Sequence, residues 1–209
     1  MGKVDANKRI KQNTLFQTAF ELFHEKGFAK TTISDIVKRA GLAKGTFYLY
    51  FKDKYDLRDK LIIHKTGQLF SKAHQALSLS TPPVEGFENQ LLFVLDYIID
   101  LLKHDKGLLQ FISKNLSWGI FKNVIEKPMP EESMRIYEYF LDLMAKNDIQ
   151  CLYPELMLFS IVELVGSTCY SCILFEEPTS IDAYLPHLHE IVHHILQIYT
   201  KSSVLCELI

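Results

Sequence analysis

The 209-residue chain has few of the cysteines that disulfide-built folds need. It holds four cysteines and one tryptophan. Four cysteines, behind a polar and basic opening with no apolar leader stretch, suit a reducing cytoplasm better than a disulfide scaffold. Nine glycines and seven prolines leave no low-complexity tract. There is no internal repeat and no strand-like alternation. No G-x-S-x-G, Gly-rich phosphate loop or H-E-x-x-H is present, so no catalytic residue, resident metal or cofactor is expected. The longest apolar run, Leu156 to Phe175, is interrupted by Glu163, Gly166 and several Ser, Thr and Cys. It reads as a buried helix rather than a membrane span.

At 48% hydrophobic residues, the chain can bury a substantial core in one or two domains. Its net charge of -2 hides an asymmetry. Residues 1–65 carry 14 Lys and Arg against 7 Asp and Glu, whereas residues 66–209 carry 9 against 18. A basic head on an acidic body suits attraction to phosphates. Solvation of a small domain by lysines would give the same bias.

The stretch Thr31 to Lys54, TTISDIVKRAGLAKGTFYLYFKDK, gives that asymmetry a purpose. Thr32 caps a helix, with Asp35 at capping-box spacing. Ile33, Ile36, Val37 and Ala40 then share one face. Gly41 ends the helix, since it tolerates a left-handed backbone, and Leu42 can plug the turn. A short second helix runs from about Lys44 to Phe51. The pattern is a helix-turn-helix, whose second helix enters a DNA major groove. Thr31 and Thr32 sit where hydroxyls and free N–H groups favour a phosphate, although plain capping explains them too. Lys44 is placed for a base edge or a phosphate. Gly45 would let the helix backbone approach closely, and Thr46 could meet a phosphate or a thymine methyl. Leu49 could contact bases or fill space. Phe47 and Phe51 read as core. Ala43 cannot cap the second helix, at a cost of about 1 kcal/mol. Asp53 is a good cap for the next helix, with Asp56 three positions on.

Gly27-Phe28, Asp35-Ile36, Ala40-Gly41, Lys44-Gly45-Thr46-Phe47-Tyr48, Tyr50-Phe51 and Lys52-Asp53-Lys54 together resemble the tetracycline-repressor (TetR) family, continuously from about Phe16 to Leu61. The resemblance implies that Tyr48 is a phosphate ligand, that Tyr50 lies near the DNA backbone and that Lys54 touches a phosphate. Many family members have Ser where this chain has Ala43, which shifts base reading onto Lys44, Gly45 and Thr46. The remainder resembles the family only in length and helical pattern.

In order, Met1 to Ile10 reads as a mobile basic arm with Lys3, Lys8 and Arg9. A first helix follows over about 8–26, with Leu15, Phe16, Ala19, Phe20, Leu22 and Phe23 as its apolar stripe. A long helix extends from Lys54 to about Leu79, and the resemblance makes it the lever that carries ligand binding to the head. The loop Ser78 to Gly86 comes next. Helical spacing then covers about 87–104, 107–121, 131–146, 154–175 and a last helix to about Lys201, with Lys127-Pro128-Met129-Pro130 as a connector. The expected fold is all-α. An N-terminal three-helix DNA-binding domain (1–52) is followed by a helical effector-binding and dimerisation domain (53–209).

In the body, Phe93, Tyr97, Phe111, Trp118, Phe121, Met134, Tyr137, Phe140 and Met144 supply aromatic and Met surface. Single residues of this kind are usually core. The resemblance implies an effector pocket among the middle helices, with Tyr97, Phe111, Trp118, Phe121, Tyr137 and Phe140 as candidates. The helix over 154–175 is apolar nearly all round and so buried. In the family the last two helices meet their symmetry mates in a four-helix bundle. Cys169 and Cys172 form a CxxC inside an apolar helix, blander as buried thiols than as a redox or zinc pair. His189 and His193 are four apart, a chelating spacing, beside His187 and His194. Partly exposed histidines are the plainer reading.

The expected function is therefore a homodimeric regulator, commonly a repressor in this family. It would bind a palindromic DNA operator and be released by a small-molecule effector, without a membrane. Two alternatives stand beside it. One is a cytosolic carrier or enzyme with vestigial DNA binding; the other is a metal- or redox-responsive regulator.

Overall fold

The computed structural model describes residues 3–115, 118–126 and 136–200, with side chains at 6–113, 119–123 and 136–200. Trp118's side chain, Met134 and the Lys127–Pro130 connector lie outside the described residues. All regular structure among the described residues is helical: α1 (Lys3–Lys26), α2 (Ile33–Arg39), α3 (Lys44–Tyr48), α4 (Lys54–Ser78), α5 (Phe87–His104), α6 (Lys106–Asn115), α7 (Trp118–Glu126), α8 (Ile136–Lys146), α9 (Pro154–Leu174) and α10 (Ile181–Thr200). The chain forms two compact units, Met1–Lys65 and Thr66–Ile209, and the boundary falls inside α4.

In the first unit, α1 begins at Lys3. Residues 3–10, expected as a free arm, are therefore the opening turns of α1; they contain no Gly or Pro to stop it. Its far end is set by Gly27, whose φ of 81° is cheap only for glycine. α2 carries the expected capping box: the Asp35 amide donates to Thr32 Oγ1 (3.1 Å) and the Thr32 amide to Asp35 Oδ2 (2.9 Å). It ends at Gly41 (φ 66°), with the Leu42 amide donating to the Val37 carbonyl (2.9 Å) and the Gly41 amide to that of Lys38 (3.3 Å). That pair of bonds is a Schellman close, which directs the chain straight into α3. α3 is shorter than the spacing predicts, because past Tyr48 the bonds tighten to i+3, as in Tyr50 N–H to Phe47 C=O (3.0 Å). Asp53 caps α4 by accepting from the Tyr55 and Asp56 amides, both at 2.8 Å.

These turns seat an aromatic core. Leu15, Ala19, Ile36, Phe47, Leu57 and Leu61 are fully buried. The Phe16 and Phe47 rings lie 5.3 and 5.4 Å from Phe51. Phe28 folds back onto Phe23, ring to ring at 5.1 Å.

In the second unit, α9 packs against α6 and α10, α5 against α6 and α10, and α7 against α8. Met157, Ile161, Leu188 and Val192 are central to its core. By length and composition α9 could cross a membrane, yet Met157, Ile161, Cys169 and Ile173 are buried in this core. Leu156, Glu163, Gly166 and Ser167 are exposed or half-exposed, so one side of α9 is bare in the single chain.

The capping box has a pH signature. Hydrogen bonds from Lys26 (2.8 Å) and Thr32 hold the Asp35 carboxyl well below the usual carboxylate range. A depressed carboxylate stabilises fully above its unfolded value, 3.8, and loses that contribution as pH falls through its lower folded value. Asp35→Asn is expected to lower the melting temperature at pH 7. Melts at stepped pH should show the gap to wild type narrowing only below about pH 4.

Candidate nucleic-acid interface and ligand cavity

α2 and α3 pack on each other in the first unit through Ile36, Val37 and Phe47, leaving the opposite side of α3 bare. Ala43, Lys44, Gly45, Tyr48 and Leu49 are all exposed, Leu49 at 77%. The Lys44 ammonium has no ion pair or hydrogen bond among the described residues. Ala43 occupies the N-cap of α3 and makes no side-chain capping bond, as its methyl dictates. A Cβ built on Gly45 would meet nothing within 4 Å. Packing thus gives no reason for a glycine there, although it costs about 1 kcal/mol relative to alanine in a helix. Thr46 and Tyr50 are half-buried. Leu49 fills no space, which decides between its two sequence readings in favour of a surface role.

Three expected contact residues are already engaged inside the protein. Thr31 is fully buried, and its hydroxyl donates to the Gly27 carbonyl (2.8 Å) and more weakly to Leu22 (3.3 Å). Thr32 is exposed but spends its hydroxyl on Asp35. Lys54 is the most fully engaged of the three. Its ammonium donates to the carbonyls of Phe28 (2.9 Å), Thr31 (2.9 Å) and Ala29 (3.4 Å), and lies 4.4 Å from the centre of the Phe28 ring. Three donors meet three acceptors, so the charge is directed inward at the α1–α2 turn. Lys30 and Lys52, beside these residues in the chain, are exposed.

The second unit contains a cavity of about 70 Å³ between α4, α5, α8 and α9. Phe70, Leu91, Val94, Phe140, Leu143 and Leu158 give it apolar walls, and Ser71, His74, Gln90 and Tyr139 add a polar side. Of the aromatic residues expected at a pocket, Phe140 lines it. Phe121 is buried in contact distance of Phe70 (ring centres 6.3 Å), Tyr137 stacks on Phe140 (6.4 Å) and Tyr97 on Phe93 (6.4 Å). Phe111 is half-buried on α6. Composition could not find His74.

The histidines and cysteines of the candidate metal and redox clusters have local partners or are buried. His189 Nε2 pairs with Asp96 (2.7 Å) and His193 Nδ1 with Glu88 (2.8 Å), both on α5. Among the described residues no three His, Cys, Asp or Glu side chains gather as a metal site. Cys169 and Cys172 are buried, and burial pushes the Cys169 thiol up to about 12, far from a reactive thiolate.

A capped helix, a glycine-closed turn and a short helix with a bare face carrying Lys44 make up a helix-turn-helix, the unit that presents its second helix to a DNA major groove. Residues 15–61 match the bacterial regulatory proteins of the tetR family. It is 48% identical over 152 residues to the uncharacterized HTH-type transcriptional regulator YerO of Bacillus subtilis, covering 72% of this chain and 46% of that protein. It is 33% identical over 101 residues to the fatty acid metabolism regulator protein of the same organism, covering 48% and 50%. The chain thus spans about half the length of these curated relatives. Its fold matches the regulator FadR from Bacillus subtilis, solved in complex with stearoyl-CoA, with a TM-score of 0.57 at 20% identity over 86% of this chain and 96% of that one.

The inward ammonium separates two lysines that the sequence treats alike. Each phosphate a protein neutralises contributes about 0.9 to the slope of log affinity against log salt. Lys44→Gln should reduce the slope for duplex DNA by about that much for each phosphate the side chain no longer reaches. Lys54→Gln should lower the melting temperature and the affinity while leaving the slope unchanged. Fluorescence anisotropy across a salt series reads both.

Proposed function

We propose that the protein is a cytoplasmic, dimeric transcriptional repressor that binds a two-fold symmetric DNA operator and lets go when a small apolar effector occupies the cavity of the second unit. The observation that carries this reading is the bare face of α3. Its lysine is unpaired among the described residues, its glycine has no packing role, and Tyr48 and Leu49 stand exposed. These features cost stability or solubility unless a partner surface meets them. A major groove suits them, with Gly45 allowing close approach, Lys44 reaching a phosphate or guanine edge, Thr46 and Tyr48 near the backbone and Leu49 against a thymine methyl.

The dimer is supported by the outer sides of the last two helices. Leu156 on α9 is 51% exposed, and Ile191 and Ile198 on α10 are 38% and 59% exposed. Gly166 and Ser167 permit close helix approach. Two heads related by a two-fold axis would read two half-sites one helical turn apart. Release then follows from population shift. An effector that favours a different spacing of the two heads withdraws the dimer from the spacing that DNA requires, and a differential affinity of a few kcal/mol is enough. The apolar walls of the cavity, the name of one relative, the fatty acid metabolism regulator protein, and the stearoyl-CoA bound in the similar FadR structure support an apolar effector. Nothing in this scheme calls for catalysis or a cofactor.

Selection from random duplex DNA at near-physiological salt tests the reading. A palindromic winner with half-sites about 10 base pairs apart is expected. Salt-sensitive binding without sequence preference would overturn it. On the winning site, Gly45→Ala should raise the melting temperature slightly, by removing a glycine from a helix, while weakening binding by about tenfold or more, the scale of 1.4 kcal/mol. Tighter binding by this variant would contradict close backbone approach.

A further inference from the structure

The cavity also carries information about the molecule it takes. Among the described residues, Thr66 Oγ1 and His74 Nδ1 are the buried side-chain polar atoms with no hydrogen-bond partner in the protein. Both lie on α4, eight residues apart, and His74 is in the cavity wall. A buried ring nitrogen left unpaired is costly, and native interiors rarely keep one without a use. The His74 ring is held edge-on by the Tyr139 ring, with centres 4.5 Å apart at 69°. Burial raises the Tyr139 phenol above its ordinary value, so it remains an O–H donor. Gln90 is anchored from the loop side, its amide donating to the Val84 carbonyl (2.9 Å). His74, with its orphan ring nitrogen, and Tyr139 therefore adjoin in the wall of a largely apolar cavity.

The charges complete the selection. Among the described residues no Lys, Arg, Asp or Glu lines the cavity. A polyanionic headgroup would find no fixed cation there, and a quaternary ammonium would find no carboxylate. A single carboxylate fits. With its ring hydrogen on Nδ1, His74 can donate to it, Tyr139 can donate a second bond, and hydrogen bonds to an ionised acceptor are the strong ones. We propose that the cavity's ligand is an apolar monocarboxylic acid, its carboxylate bound by His74 and Tyr139 and its hydrocarbon lying toward Leu91, Val94 and Leu158. This assignment rests on the reading of the cavity as the effector site. The cavity's 70 Å³ accommodates the head and the first carbons, so the length of chain tolerated is itself a readout.

Calorimetry on the full chain with octanoate, octan-1-ol, octyltrimethylammonium and octanoyl-CoA tests the proposal, followed by butyrate to laurate for chain length. Octanoate should bind at least about tenfold more tightly than octanol, the margin of one hydrogen bond to a charged group. In His74→Phe, which keeps the ring against Tyr139, that margin should collapse while octanol affinity stays. Tyr139→Phe should narrow the margin with the imidazole intact, and it serves if His74→Phe melts below the assay temperature. Octanol binding as tightly as octanoate, or octanoyl-CoA or the ammonium binding better, overturns the carboxylate assignment and leaves the cavity as an effector site. Binding of none of the four overturns both.

Discussion

The first unit depends on how the α1–α2 turn disposes of its backbone carbonyls. Those of Phe28, Ala29 and Thr31 have no helical amide to meet. One ammonium, that of Lys54, satisfies all three from the first residue of α4. The Thr31 hydroxyl adds a second tie, to Gly27 and Leu22. The Phe28 carbonyl has a second donor in the Thr31 amide (3.3 Å), whereas leaving the Thr31 carbonyl unpaired in this part-buried turn would cost roughly 1–3 kcal/mol. With the turn closed from within, α2 starts at a fixed point through its capping box and ends at a fixed point through Gly41. α3 is then too short to choose its own direction and inherits it. The polar groups of the turn look inward, and the basic face of α3 is what remains for a partner.

The second unit solves a different problem. It buries an apolar core between long helices but closes it incompletely. One gap is the cavity against α4, where an imidazole nitrogen is held without a partner. The other is the bare side of α9 and α10, apolar in places and flanked by small residues. In the proposed regulator these gaps are where affinity for other molecules resides: one takes the effector and the other a second copy of the chain. The α5–α10 seam, by contrast, is closed by two histidine–carboxylate pairs. Those pairs give the histidines at chelating spacing a structural use that needs no metal.

Much of the first unit was legible in the sequence because its devices are local. Thr32 with Asp35, Gly41 after Ala40, and Asp53 with Asp56 act across three or four residues, and each is found as read. The charge asymmetry between residues 1–65 and 66–209 needed only counting. What escaped was whatever depends on a distant partner. Lys54 bonds to carbonyls 23 to 26 residues away, and carbonyls leave no trace in a sequence. Thr31 and Thr32 look equivalent as a pair, yet the turn buries one and exposes the other. The cavity was harder still. Its polar residues come from α4, α5 and α8, and counting aromatics pointed at six residues of which, among the described side chains, Phe140 is the one in the wall. The bare side of α9 was hidden because an apolar helix reads the same whether its own chain or a second one covers it.

The most direct test of this account is lysine footprinting with an acetylating reagent, free and on the selected duplex. The account predicts that Lys30, Lys44 and Lys52 react quickly in the free protein, while Lys54, committed to three carbonyls, reacts slowly. On DNA, Lys44 should become shielded and Lys54 should not change. If Lys54 reacted as fast as Lys44 in the free protein and lost that reactivity only on DNA, its ammonium would be a phosphate ligand. The inward-closed turn at the centre of this account would then be wrong.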